Sequence, residues 1–94
     1  MKIRYSEHLL VRLRMRDISE HLPRLVYEKA TRKFLDTGTG HAIAVSRIAF
    51  LGKKRDVAVT YREDHREVLL ITIHPLKENQ LDNRLKTGRW KPLG

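Results

Sequence analysis

The sequence predicts an α+β fold: two N-terminal helices packed on a three- to four-stranded antiparallel sheet, then a short basic C-terminal helix or tail. Three observations carry this. Apolar residues recur at helical spacing as far as Ala30 and at alternate positions beyond it, so the period changes from roughly 3.6 to 2. Helical and strand patterns are segregated along the chain rather than alternating, which favours one sheet with helices on one face. Ninety-four residues hold one modest core, so residues 1–94 read as a single domain.

Taken in order, "KIRYS" is a short extended start, and Ser6 followed by Glu7 reads as a helix N-cap with an acidic first turn. Leu9, Leu10 and Leu13 then fall at helical spacing, and the first helix should end near Asp17. Ser19 and Glu20 open a second helix with Leu22, Leu25, Val26 and Ala30 as its apolar positions. Pro23 is tolerated only in a first turn, so the true start can lie as late as Leu22. "RKFLD" is a brief strand and "TGTG" a glycine-rich connection. In "HAIAVSRIAFL", Ile43 and Val45 alternate with Ala44 and Ser46; a turn at Gly52–Lys54 leads into "RDVAVTYR", with Val57, Val59 and Tyr61 on one face. "EVLLITIH" is nearly all apolar, which suits a central strand covered on both faces, and Pro75 stops it. "KENQLDNRLKTG" has room for a last short helix closed by Gly88, and "RWKPLG" reads as a tail.

Composition narrows the classes. The chain is 40% apolar and 33% charged and has no cysteine, so disulfides and thiolate metal sites are excluded. No apolar run approaches a membrane span and the N-terminus lacks an apolar signal core, which leads to the expectation of a soluble cytoplasmic protein. Twenty Lys and Arg against eleven Asp and Glu give a net charge of +9. Nine basic and four acidic groups lie in residues 1–33, and five against two in residues 76–94, flanking a centre of six against five. Basic ends of this kind attract RNA, DNA, a ribosome or an acidic protein, because positive potential draws polyanions and releases their counterions. A solvated charged surface with no partner is the plain alternative.

Several motifs compete for a chemical role. "LDTGTG" contains the Asp-Thr-Gly of aspartic proteases, but it follows two helices and no flap hairpin comes after it, so a glycine turn before a strand explains it better. Its glycines are also too few for a phosphate loop, and no cofactor is expected. The five histidines show no metal-ligand spacing, so no metal is expected either. His8, Arg12 and Arg16, at i, i+4 and i+8, form one stripe of the first helix beside the Leu9–Leu13 stripe. An imidazole beside two guanidiniums suits metal-free RNA cleavage, which needs a base, an acid and cations around a crowded phosphate. Without a substrate, the same stripe is a solvated basic face. On "EVLLITIH", Ile71 and Ile73 should face one side and Thr72 and His74 the other, with Tyr61 on a neighbouring strand. Catalytic candidates are therefore His8, His74 and Tyr61. Arg84 and Arg89 join Arg12 and Arg16 as phosphate-binding candidates. Trp90 can stack on a base or pack back on the core, and burial of so large a ring favours packing.

"YSEHLLVRLRMRDIS", with Ser6, His8, Arg16, Ile18 and Ser19, resembles the N-terminal signature of a small prokaryotic domain family of unassigned function grouped with the RelE/ParE and BrnT toxins. The likeness continues through "VAVTYRED" and "VLLITIHPL" and so spans Ser6 to Pro75. It implies a RelE/BrnT-like fold of two helices against an antiparallel sheet. For function it implies either an endoribonuclease silenced by an acidic antitoxin, as in RelE- and BrnT-type toxins, or a gyrase poison of the ParE type. Catalytic residues differ between those branches, so none is carried over. "ENQLDNRLKTGRW" lies outside the likeness. The expectation is a metal-independent endoribonuclease toxin, or a close non-toxic relative, acting on RNA. The alternative is a non-enzymatic basic module that binds nucleic acid or an acidic partner.

Overall fold

A computed structural model describes residues 2–93, and its centre is a mixed six-stranded sheet. The elements run β1 (Lys2–Tyr5), α1 (Glu7–Met15), α2 (Leu22–Lys29), β2 (Arg32–Asp36), β3 (Ala42–Phe50), β4 (Lys53–Glu63), β5 (Glu67–Pro75), α3 (Gln80–Lys86) and β6 (Trp90–Pro92). Strand order across the sheet is β1-β5-β4-β3-β2-β6. The α+β class stands, but the expected three- to four-stranded antiparallel sheet with two helices on one face is corrected in three respects. "KIRYS" is not a bare lead-in: Lys2–Tyr5 pairs in parallel with Glu67–Leu70. "RWKPLG" is not a tail, because Trp90–Pro92 pairs antiparallel with Phe34–Asp36. The third helix packs on the face opposite α1 and α2, where Leu81 joins Phe34, Ile43, Val45, Ala58, Leu76 and Trp90.

Local chemistry explains the helix ends. Ser6 caps α1, its hydroxyl accepting from the Leu9 N–H at 3.0 Å. The helix closes where Asp17 turns left-handed (φ 52°) and the Ile18 N–H reaches back to the Leu13 carbonyl, a Schellman-type stop that buries Ile18. Pro23 lies in the first turn of α2, as its missing N–H requires. Tyr5 ties this corner to β1: its hydroxyl donates to the Glu20 carbonyl and accepts from the Arg24 N–H. Ser46, buried on β3, donates to the Val26 carbonyl at 2.7 Å and fixes α2 to the sheet.

Two cores result. Between α1, α2 and the sheet lie Leu9, Leu13 and Val26 from the helices against Ala44, Val57, Val59, Tyr61, Val68, Leu70 and Ile73. The reverse face holds a smaller cluster in which Phe34 stacks on Trp90 (centroids 5.8 Å apart) under α3.

One irregularity decides where the functional candidates point. Thr60 is opposite Thr72 and Tyr61 opposite Leu70, so Ile71 is the extra residue of a β-bulge. Val68 and Leu70 face the helices before the bulge, and Ile73 faces them after it. Thr72 and His74 are thereby turned to the reverse face, where His74 pairs with Ala58.

Candidate functional site: a cationic cleft at the open edge of β5

β1 covers only the first half of β5, as far as Leu70. Beyond it the chain leaves the sheet at Ser6, whose N–H donates to the Leu70 carbonyl and whose hydroxyl donates to the Ile71 carbonyl. From there α1 crosses the helix-side face and leaves Ile71–Pro75 as an open strand edge. "EVLLITIH" is therefore an interior strand for half its length only. Pro75 on this edge lacks a donor that another strand could pair with.

At this edge α1 and β5 enclose a cleft of about 220 Å³. His8, Leu9, Arg12 and Arg16 line it from the α1 side; Thr72, Ile73 and His74 line it from β5, where Ile73 faces the helices and Thr72 and His74 turn to the reverse face. Leu9 and Leu13 are buried, which fixes the rotation of α1 and aims the neighbouring His8–Arg12–Arg16 stripe at the edge. Arg16 is itself the C-cap residue of α1. Residues of α1 and its C-cap thus share one concavity with three β5 residues more than fifty positions away in sequence.

Electrostatics separate the groups. Burial holds the His74 imidazole below its ordinary value of 6.5, and the Arg84 charge lowers it further, so it is neutral at pH 7. Arg84 acts from α3; it does not line the cleft, and its guanidinium lies 5.9 Å from the centre of the Trp90 ring.

The remaining candidates lie elsewhere. Tyr61 is buried in the helix-side core, edge-on to Tyr27 with centroids 4.9 Å apart. Burial, with the Glu63 and Tyr27 charges adding, pushes its phenol up to about 12, so it is no base near neutral pH. Trp90 is 3% exposed and packs rather than offering a free face for a base. Arg89 is clasped: its Nε donates to Asp36 Oδ1 at 2.8 Å, and the guanidinium lies where a side chain on Gly38 would be, 2.7 Å from the position of a Cβ. The Gly38 N–H also donates to Asp36, and Thr37 donates through its N–H and its hydroxyl to the Arg89 carbonyl. Burial raises the Asp36 carboxyl, but the hydrogen bonds from Arg89 and Gly38 and the Arg89 charge together hold it below its usual value. "LDTGTG" is thus the clasp that receives β6.

A second concavity was hidden by averaging charge over the centre of the sequence. On the reverse face, Arg32, Arg47, Lys53, Lys54, Arg55 and Lys77 line a cleft of about 740 Å³. The dense basic run Lys53–Arg55 is the signal in the sequence; across the ladder Arg47 lies opposite Asp56, the residue after that run. Among the described residues, no three His, Cys, Asp or Glu side chains gather to hold a metal ion, and no helix is long and apolar enough to cross a membrane.

Compared with protein-family models, curated proteins and solved structures, this chain finds no match.

Proposed function

We propose that this chain acts on RNA as a metal-independent endoribonuclease, with the α1–β5 cleft as its working site. The observation that carries this reading is the convergence of His8, Arg12 and Arg16 with His74 on one concavity. A neutral His74 accepts the proton of a 2′-hydroxyl; the resulting oxygen attacks the adjacent phosphorus. The bond to the 5′-oxygen breaks as that oxygen takes a proton from a second group, for which His8 is the available imidazole. Arg12 and Arg16 stabilise the extra negative charge on the phosphate.

If the chain is a toxin, an acidic neutraliser would cover Arg12 and Arg16 and meet charge with charge. The second reading, a non-enzymatic basic module, is favoured by the larger reverse-face cleft, which is cationic and holds no imidazole.

The test is incubation of labelled single-stranded RNA with purified protein and excess chelator, with and without ribosomes. Fragments ending in a 2′,3′-cyclic phosphate, and no cleavage of the 2′-deoxy oligonucleotide, are expected. Intact RNA under every condition, or cleavage only when a divalent cation is supplied, would leave the binding module.

A further inference from the structure

We infer that the reverse-face cleft is a backbone-binding track that grips the RNA strand passing through the α1–β5 cleft; this rests on the RNA reading above. The two concavities meet on β5. His74 lies at the end of the first, Leu76 lies in the second, and Pro75 alone separates them in sequence. Two steps of extended chain cover about 6–7 Å, so a strand leaving His74 reaches Leu76 and the second cleft directly.

The charge of the second cleft suits phosphodiesters. Six cations and three acids, Asp56, Glu78 and Asp82, line it. Asp56 is already satisfied: its carboxylate accepts from Arg32 at 2.9 Å and pairs with Arg47 at 3.7 Å. The Arg32 hydrogen bond, working against burial, keeps that carboxyl below its usual value, and it stays anionic. Lys53, Lys54 and Lys77 make no ion pair within the chain among the described residues, and all three are exposed. No base-reading group is prominent, so the grip should be indifferent to sequence.

The experiment measures binding apart from cleavage. Fluorescence anisotropy is read with labelled 2′-O-methyl RNA, which has no free 2′-hydroxyl to attack, as a tetranucleotide and as a dodecamer. Lys54→Glu with Lys77→Glu should weaken dodecamer binding roughly tenfold or more and reduce the slope of log affinity against log salt by about two. The tetranucleotide should bind this variant as it binds wild type, whereas Arg12→Glu with Arg16→Glu should weaken both oligonucleotides. An unchanged melting temperature checks that the charge reversals leave the fold intact. Wild type that binds the dodecamer while the Lys54/Lys77 variant binds it equally well, with the same salt slope, overturns the track and leaves the α1–β5 site standing. Wild type that binds neither oligonucleotide overturns both.

Discussion

The two faces of the sheet are built differently. On the helix side, α1 and α2 seal an apolar layer in which Leu9, Val26, Val57, Val59, Val68 and Leu70 have no exposed surface at all. On the reverse side, one short helix and a three-residue strand cover only Phe34, Ile43, Val45, Ala58, Leu76 and Trp90. The uncovered part carries the Lys53–Arg55 and Lys77 cleft, and the open β5 edge lies between the faces. A 94-residue chain has apolar residues for one full core and a fraction of another. Stability is therefore concentrated on one face, and the other is free to carry charge. The bulge at Ile71 is the link, because it turns His74 away from the sealed face toward the charged one.

Perturbing the sealed face should affect folding before function. Leu13→Ala opens a cavity at a residue 1% exposed and should cost about 2–5 kcal/mol. Urea unfolding will read this as a lowered midpoint, while RNA affinity per folded molecule stays near wild type. A smaller loss is expected for Ser46→Ala, which leaves the buried Val26 carbonyl without its donor and should cost about 1–3 kcal/mol. If both variants lose RNA binding while still folded, the faces are coupled more tightly than their separate cores imply.

The smallest effect is a pH dependence on the charged face. Because the folded-state value of His74 is depressed, the unfolded chain binds the proton more readily. The stability tied to this group is fully present above 6.5 and is lost as pH falls through the depressed folded value. His74→Gln should therefore lose less melting temperature than wild type between about pH 7 and about pH 5. Equal losses would mean that His74 is not desolvated.

Much of the sealed face was legible in the sequence, and the reason is locality. Ser6 as a cap, Pro23 in a first turn, Gly88 after the last helix and the Val57–Val59–Tyr61 face all follow from residues within a few positions of one another. What was not legible depends on long-range pairing. Lys2–Tyr5 is strand only because Glu67–Leu70 lies beside it, and Trp90–Pro92 only because Asp36 and Thr37 clasp the chain at Arg89. The same clasp ties the Arg89 Nε to Asp36, and Tyr61 and Trp90 are buried. His8, Arg12, Arg16 and His74 line one cleft; helix periodicity groups the first three, whereas the side on which His74 lies is set by the bulge at Ile71. The sequence places Lys53 and Lys54 in a turn and Arg55 at the start of a strand, and it does not show the cleft they line because neither Arg47 nor Arg32 is adjacent to them in sequence.

The most direct test of the claim that the charged edge is a reaction site compares wild type and His74→Gln on one single-stranded RNA, in chelator, with melting temperature and affinity measured in parallel. A positioned acid–base group typically contributes about 10²–10⁴ in rate, whereas a structural histidine at a strand end contributes only a hydrogen bond or packing worth ~1 kcal/mol. The predicted result is a loss of initial rate in that range, with melting temperature and RNA affinity nearly unchanged at neutral pH. A variant that melts well below wild type yet cuts RNA at the wild-type rate per folded molecule would contradict the claim and make His74 a structural residue.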